Sequence, residues 1–387
     1  MNKHILTSEV QDFIINYSED ITKLAFSGSP FEMVSTQELI QQIESRRKAK
    51  IKLPIWYNSE NILYPPKLNL EQTSSEITAK YKASLVQGNT LADLTGGFGI
   101  DSYYFSNRFK HVYYYEHNNS LSEIAQHNFK ILDKNNIHCL SGNGLEQIKE
   151  TKYDSIYLDP SRRHDSKGKV FFLKDCEPNV PENLNFLLDH CTQLLVKTSP
   201  MLDLTVGLEE LTYVKEIYIV AVSNEVKELL WLIEKGYKQV PVIKTINIDK
   251  DTIETFDFKW KQKSTPSYSI PKKYLYEPNA AIMKSGAFEL LPETYKLTKL
   301  HKHTHLYTSD ELVDFPGRRF KIVKTIPYHK KELKKLGINK ANVSIRNFPE
   351  TVADLRKKLK IKDGGTDYLF FTTIENNNKM ILICSKV

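Results

Sequence analysis

Cysteine is scarce, with four in 387 residues at positions 139, 176, 191 and 384, and no two form a C-x-x-C pair. That spacing argues against a zinc ribbon, an iron–sulfur cluster or a disulfide framework and leaves buried free thiols. No apolar run approaches the ~18 residues that a membrane-spanning helix requires. The first ten residues turn polar too soon for a secretory leader. Both observations point to a cytoplasmic protein with no membrane partner. Internal repeats and low-complexity tracts are missing too. What remains is ordinary globular composition, 40% hydrophobic and 26% charged, which excludes a disordered chain and suits two or three domains.

The net charge of +7 is unevenly spread. Residues 317–387 hold 17 Lys+Arg against 6 Asp+Glu, while the preceding 316 residues hold 37 against 41. A neutral-to-acidic body with a strongly basic end suggests a polyanionic partner. A lysine-rich surface kept for solubility is the alternative.

The first 70 residues read as helical. Ser8 with Gln11 and Ser35 with Glu38 stand at capping-box spacing ahead of apolar residues at helical intervals. The second helix runs into Arg46, Arg47, Lys48, Lys50 and Lys52, a cluster suited to the helix dipole or to phosphate. A third helix is expected at about 71–86. Strands and helices then alternate, with strands expected at 90–94, 111–116, 138–140, 155–158, 194–196, 217–222 and 242–248. That rhythm predicts an α/β fold, a Rossmann-like doubly wound sheet that is mostly parallel. The polar, proline-bearing stretch 264–271 ends it. The expected organisation is a helical region at 1–88, the α/β domain at 89–263, and small α+β domains at 272–316 and 317–387.

Asp93-Leu94-Thr95-Gly96-Gly97-Phe98-Gly99 stands at a strand-to-helix turn, and Asp101 follows on the helix. Glycines there let a ligand approach the backbone while the strand-end carboxylate faces the crevice. Glu116 ends the next strand, 20 residues after Gly96, the spacing at which an acid takes ribose hydroxyls. Asn143 follows the third strand, where a carboxamide either reads an adenine edge or makes a turn. These residues indicate an adenosine cofactor and do not choose between a nicotinamide dinucleotide and S-adenosylmethionine.

Asp159-Pro160-Ser161-Arg162-Arg163 ends the fourth strand beside the glycine loop. An exocyclic base amine is a poor nucleophile because its lone pair is delocalised into the ring. A carboxylate oxygen and a following carbonyl accept its two N–H bonds and localise that pair toward a methyl donor. Asp159 and the rigid Pro160 supply this device.

The set D-x-T-x-G-x-G, strand-end Glu, G-N and D-P-S-R-R resembles class I S-adenosylmethionine-dependent methyltransferases. It is closest in pattern to the bacterial group with a ferredoxin-like insert and a THUMP-like C-terminal domain. Further segments carry the likeness: residues 71–83, Tyr276-Glu277-Pro278-Asn279-Ala280-Ala281-Ile282, Phe315-Pro316-Gly317-Arg318-Arg319-Phe320 and Arg346-Asn347-Phe348-Pro349. The glycine loop is also similar to that of ribosomal RNA guanine-N2 methyltransferases. By that likeness Asp93, Thr95, Gly96, Gly97, Gly99, Asp101, Glu116 and Asn143 would hold S-adenosylmethionine. Asp159 and Pro160 would position a base amine of rRNA or tRNA, guanine N2 ahead of adenine N6. Ser161 and Arg162 depart from the usual Pro-aromatic continuation, and an arginine plane stacks on a base or forks onto phosphate. Arg162, Arg163, Arg318, Arg319, Lys334, Lys335, Arg346, Lys357 and Lys358 are the expected RNA contacts. The alternatives are a protein or small-molecule methyltransferase and a non-catalytic RNA-binding protein.

Two features read blandly. His301, His303 and His305 alternate as if on one strand face, but no fourth ligand is visible and no metal is expected. Tyr113-Tyr114-Tyr115 reads as a buried parallel strand.

Overall fold

The computed structural model describes residues 2–162, 172–250, 252–329, 332 and 337–387. The chain divides into two compact units, residues 1–217 with 227–239, and residues 218–226 with 240–387.

The first unit opens with helices α1 (Ser8–Asn16), α2 (Ile21–Ser27), α3 (Thr36–Lys52), α4 (Pro54–Asn58), α5 (Lys67–Gln72) and α6 (Glu76–Ala83). Ser35 and Glu38 form the expected capping box on α3. Ser8 instead lies inside α1, behind Thr7. The third expected helix is two, because the chain turns at Thr73–Ser75 and Ser75 caps α6. The basic run ending α3 works mostly inside the protein: Arg47 donates to the carbonyls of Tyr17 and Glu19, and Lys52 to those of Leu70 and Glu71. Asn128 then bonds both the N–H and the C=O of Leu63, fixing the helical region to the helix that carries Asn128.

Strands β1 (Thr90–Asp93), β2 (His111–Glu116), β3 (Ile137–Ser141), β4 (Tyr153–Leu158), β5 (Ser161–Arg162), β6 (Cys176–Glu177), β7 (Cys191–Thr198), β8 (Val214–Val222) and β9 (Glu225–Ile233) follow. Helices α7 (Ile100–Phe105), α8 (Asn119–Ile131), α9 (Gly144–Gln147), α10 (Val180–Asp189) and α11 (Leu204–Glu210) alternate with them. In this unit the strand order is β9-β7-β4-β1-β2-β3. All neighbours are parallel except β9, which runs antiparallel to β7. Strand β9 was not among the expected strands. Its last six residues are all buried, so the alternation that marks a half-buried strand is missing. The carboxyl ends of β1, β2 and β4 lie side by side, the place where open α/β sheets bind ligands.

The second unit holds the hairpin β10 (Val242–Asp249) and β11 (Thr252–Lys259), which the sequence had grouped with the α/β domain. It continues with β12 (Tyr274–Pro278), α12 (Ala280–Ser285), α13 (Leu290–Tyr295), β13 (Thr298–His301), β14 (Thr304–Ser309), β15 (Gly317–Pro327), β16 (Asn342–Arg346), α14 (Val352–Leu359), β17 (Asp367–Thr373) and β18 (Lys379–Lys386). Seven of these strands form one sheet in the order β13-β14-β12-β15-β18-β17-β16. It is antiparallel except for β16 beside β17. Because β12 pairs with β15, residues 272–316 and 317–387 share this sheet. His301 ends β13, His303 lies in the turn and His305 is on β14, so the three do not share one strand face. No helix among the described residues is long and apolar enough to cross a membrane.

Gly317 begins β15 at φ +145°, and a Cβ there would lie 2.2 Å from the Glu277 carbonyl oxygen. Both the backbone angle and the contact exclude a larger residue. We expect Gly317→Ala to lower the stability of the second unit by about 2 kcal/mol or more, read by denaturant unfolding. An unchanged midpoint would show that the β12–β15 junction tolerates a shift.

Candidate active site

Strand β1 delivers Asp93 into the interior. Its Oδ1 accepts from the Thr95 N–H at 3.1 Å and its Oδ2 from the Ser102 hydroxyl at 2.6 Å. Burial raises this carboxyl to about 7, and nearby Asp101 and Asp159 push the same way against those two hydrogen bonds. The three glycines have different jobs. A Cβ on Gly96 would strike the Tyr114 ring and one on Gly99 the Phe129 ring, at 2.2 and 2.4 Å. A Cβ on Gly97 would meet only the Thr95 carbonyl, at 3.7 Å, so the space beside Gly97 is open.

Glu116 ends β2 with Oε2 on the Gly97 N–H and Oε1 on the Asn118 N–H, both at 2.8 Å. Oε2 keeps a further acceptor site, while His117 Nδ1 stands 3.3 Å from Oε1, and the Gly97 bond staples the glycine loop to the second strand end. Asn143 is exposed and caps α9 through Leu145 N–H. Trp56 and Tyr64 lay their rings within 6.5 Å of the Phe98 ring, so the N-terminal helices brace the loop.

At the end of β4 the Asp159 N–H donates to the Thr95 hydroxyl at 2.7 Å. The Asp159 turn and the glycine loop are therefore in direct contact. Arg162, exposed in β5, pairs with β6; Arg163 lies outside the described residues.

The sequence reading missed what surrounds Asp159. Lys197 on β7 makes an ion pair with Asp159 Oδ2. Lys82 on α6, fully buried, reaches Glu228 on β9 at 2.8 Å, Asp101 at 3.2 Å and the Ser74 hydroxyl at 2.8 Å. Asp101, expected at the cofactor, is turned inward by these partners and by the Tyr157 hydroxyl at 2.9 Å. Burial pushes the Glu228 carboxyl up. Burial also opposes the Lys197 charge, but Asp159, Glu228 and Asp101 outweigh it and hold that ammonium above the ordinary lysine value. Lys52 moves the other way, lowered to about 8 by burial and then by Lys197, Lys227 and Lys48. The only signals in the sequence were single lysines inside apolar runs, as in Leu194-Leu195-Val196-Lys197.

In the second unit, two expected RNA contacts are engaged by one carboxylate. Arg318 and Arg346 both pair with Glu277, which is 3% exposed. Arg319 pairs with Asp314, and Lys358 with Glu350 and the Tyr328 hydroxyl. Lys357 is exposed; Lys334 and Lys335 lie outside the described residues. Among the described residues no group of three His, Cys, Asp or Glu side chains is placed to hold a metal. Two surface hollows of about 530 and 640 Å³ open beside Asp154, Cys191 and Lys235, at the amino ends of β4 and β7, the opposite edge from this site.

Residues 274–316 match the model of a ferredoxin-like domain and residues 317–386 that of a THUMP-like domain. A candidate methyltransferase from Porphyromonas gingivalis W83 is 32% identical, with a TM-score of 0.90 over 100% of this chain and 98% of its own. A candidate methyltransferase from Streptococcus mutans, crystallised with S-adenosylhomocysteine, is 13% identical over 41% of this chain and 96% of its own, with a TM-score of 0.31. The tRNA (uracil-54, C5)-methyltransferase of Pyrococcus abyssi is 17% identical over 45% and 40%, with a TM-score of 0.32. Likenesses that low say nothing of what this chain acts on. No curated protein matches the sequence.

The raised Asp93 carboxyl has a consequence for stability. Its value rises from 3.8 unfolded to about 7 folded, so the folded state binds the proton more tightly. Stability is then lost as pH rises from about 4 to 7 and levels off above, by up to about 4 kcal/mol. Asn at this position still accepts from Thr95 and offers an N–H to Ser102. We expect Asp93→Asn to flatten the fall in Tm between pH 5 and 8. Parallel Tm profiles for the two proteins would refute this.

Proposed function

The chain belongs to the bacterial family of class I S-adenosylmethionine-dependent methyltransferases that end in a ferredoxin-like and a THUMP-like domain, and from that premise we propose that it methylates RNA at a nucleotide held by the Asp159–Pro160 turn. The observation that carries this reading is the 2.7 Å bond from Asp159 N–H to Thr95. It fixes the acceptor turn against the loop that would hold the methyl donor, which is the orientation a displacement needs.

The site suits a cationic cofactor. Among the described residues the carboxylates of Asp101, Asp159 and Glu228 pair with two ammonium groups, Lys82 and Lys197, and Glu228 Oε1 has no hydrogen-bond donor. Such an acid excess favours a sulfonium over a pyrophosphate. Glu116 would take the ribose hydroxyls, the open space at Gly97 would admit the cofactor against the backbone, and Asn143 would meet the adenine. When bound, S-adenosylmethionine supplies an electrophilic methyl group. Asp159 and the following carbonyl would orient the acceptor toward it. Among the atoms of a base, an exocyclic amine fits two such acceptors, guanine N2 ahead of adenine N6.

RNA as the partner, rRNA or tRNA, rests on the THUMP-like match and on the basic end. Lys321, Lys324, Lys357 and Lys360 are exposed there and would meet phosphates, making affinity fall steeply with salt.

The test is tritiated S-adenosylmethionine with purified protein and total RNA from a bacterium lacking the gene. Wild type should label RNA, RNase treatment of the substrate should abolish labelling, and Asp159→Ala should reduce it by about 10²-fold or more. Donor binding without any label in RNA would move the substrate to protein or small molecules. Absence of donor binding would overturn the enzyme reading.

A further inference from the structure

The Asp159 turn carries a group that a base amine does not need. Lys197 sits on Asp159 Oδ2, with 15% of its side chain and 31% of the Asp159 side chain exposed, so an arriving acceptor meets both. Lys197 is also attracted electrostatically by Glu228 and Asp101. Glu228 is in turn fixed by the buried Lys82.

Donor and acceptor capacity decides what fits between these two groups. An ammonium has three N–H donors and no acceptor. An aromatic exocyclic amine also presents donors alone, because its lone pair belongs to the ring. Set beside Lys197, it would face a donor with a donor. A hydroxyl does both: it donates to a carboxylate oxygen and accepts from an ammonium at once.

We propose that the methyl acceptor at this site is a sugar hydroxyl of the RNA, the ribose 2′-oxygen, held between Asp159 Oδ1 and the Lys197 ammonium. This rests on the reading of the Asp159 turn as the acceptor site of an RNA methyltransferase, and it moves the acceptor from the base to the sugar. In the transfer the hydroxyl oxygen forms a bond to the methyl carbon, and the carbon–sulfur bond breaks with its electron pair left on sulfur. The hydroxyl proton passes to Asp159, which later loses it to water. Lys197 stays protonated throughout, consistent with the carboxylates around it raising its affinity for the proton. Its charge stands beside the carboxylate that takes the proton as the oxygen, becoming acidic while the methyl arrives, gives it up. The ribose hydroxyl also separates RNA from DNA as a substrate.

The experiment uses the full chain, tritiated S-adenosylmethionine and total RNA from a bacterium lacking the gene, with the labelled RNA split between alkali and nuclease. A 2′-O-methyl group blocks alkaline cleavage, so label in alkali-resistant dinucleotides and in 2′-O-methylnucleosides is the expected result. Label in N2-methylguanosine or another base-methylated nucleoside overturns the inference and leaves RNA methylation standing. Donor bound without label in any RNA overturns both. Lys197→Met gives a second criterion, with donor binding measured by equilibrium dialysis and folding by thermal melt. For a hydroxyl acceptor, kcat should fall about 10²-fold or more with donor affinity unchanged and partial rescue in Lys197→Arg. For an amine acceptor, freeing Asp159 Oδ2 should preserve or raise the rate. If Lys197→Met fails to fold, Lys197→Gln and the wild-type product analysis decide the matter.

Discussion

Two lysines and three carboxylates bind the first unit together beside the carboxyl ends of β4 and β7. Lys82 and Glu228 meet across 146 residues of chain, and Asp101, Lys197 and Asp159 complete the set. Burying such charges costs free energy that their attraction only partly offsets, so the cluster is weak evidence of net stability. Its force is conditional. Losing one partner of the fully buried Lys82–Glu228 pair strands a charge where water cannot reach it, at about 3–5 kcal/mol. Helices α6 and α7 and strands β4, β7 and β9 therefore adopt their places as a set.

Side-chain-to-backbone bonds transmit that constraint to the places a cofactor and acceptor would occupy. Thr95 takes the Asp159 N–H, Glu116 takes the Gly97 N–H, and Asp93 takes the Thr95 N–H. The first two bonds join one strand end or its loop to the next, and the third holds the glycine loop to the end of its own strand. A loop so stapled needs little reorganisation when a ligand arrives, and preorganised dipoles are what accelerate group transfer. The cost appears at Asp93, whose carboxyl is too buried to ionise freely.

Legibility in the sequence followed locality. The glycine loop, Glu116 and Asp159 were readable because each ends a strand and the strand ends are set by short apolar runs. The parallel α/β class was readable from the same rhythm. Strand β9 was not, since a run buried on both faces loses its alternation. Lys82, Lys197 and Glu228 were not either. Their meaning lies in a meeting of three distant elements, and a lone lysine in an apolar stretch carries no sign of its partner. The partners of Asp101 were hidden for the same reason: its position beside the glycines is local, while Ser74, Lys82 and Tyr157, which hold its carboxylate, are not.

The charge of the C-terminal end shows the same limit from the other side. Counting residues makes it uniformly basic, yet the structure sorts its cations by task. Arg318 and Arg346 converge on Glu277, one buried acid held by two guanidinium groups from β15 and β16, and so help join the segments on either side of residue 316 into one sheet. An arginine fork pairs with a carboxylate in two directions at once, which a lysine cannot do. Lys358 on α14 is engaged by Glu350 and the Tyr328 hydroxyl, but other lysines of this end are turned to solvent. Lys321, Lys324, Lys357 and Lys360 stay exposed, where a flexible point charge meets a phosphate at little cost in order. The division follows from the two side chains: the two arginines on Glu277 build the module, and the exposed lysines give it an electrostatic face.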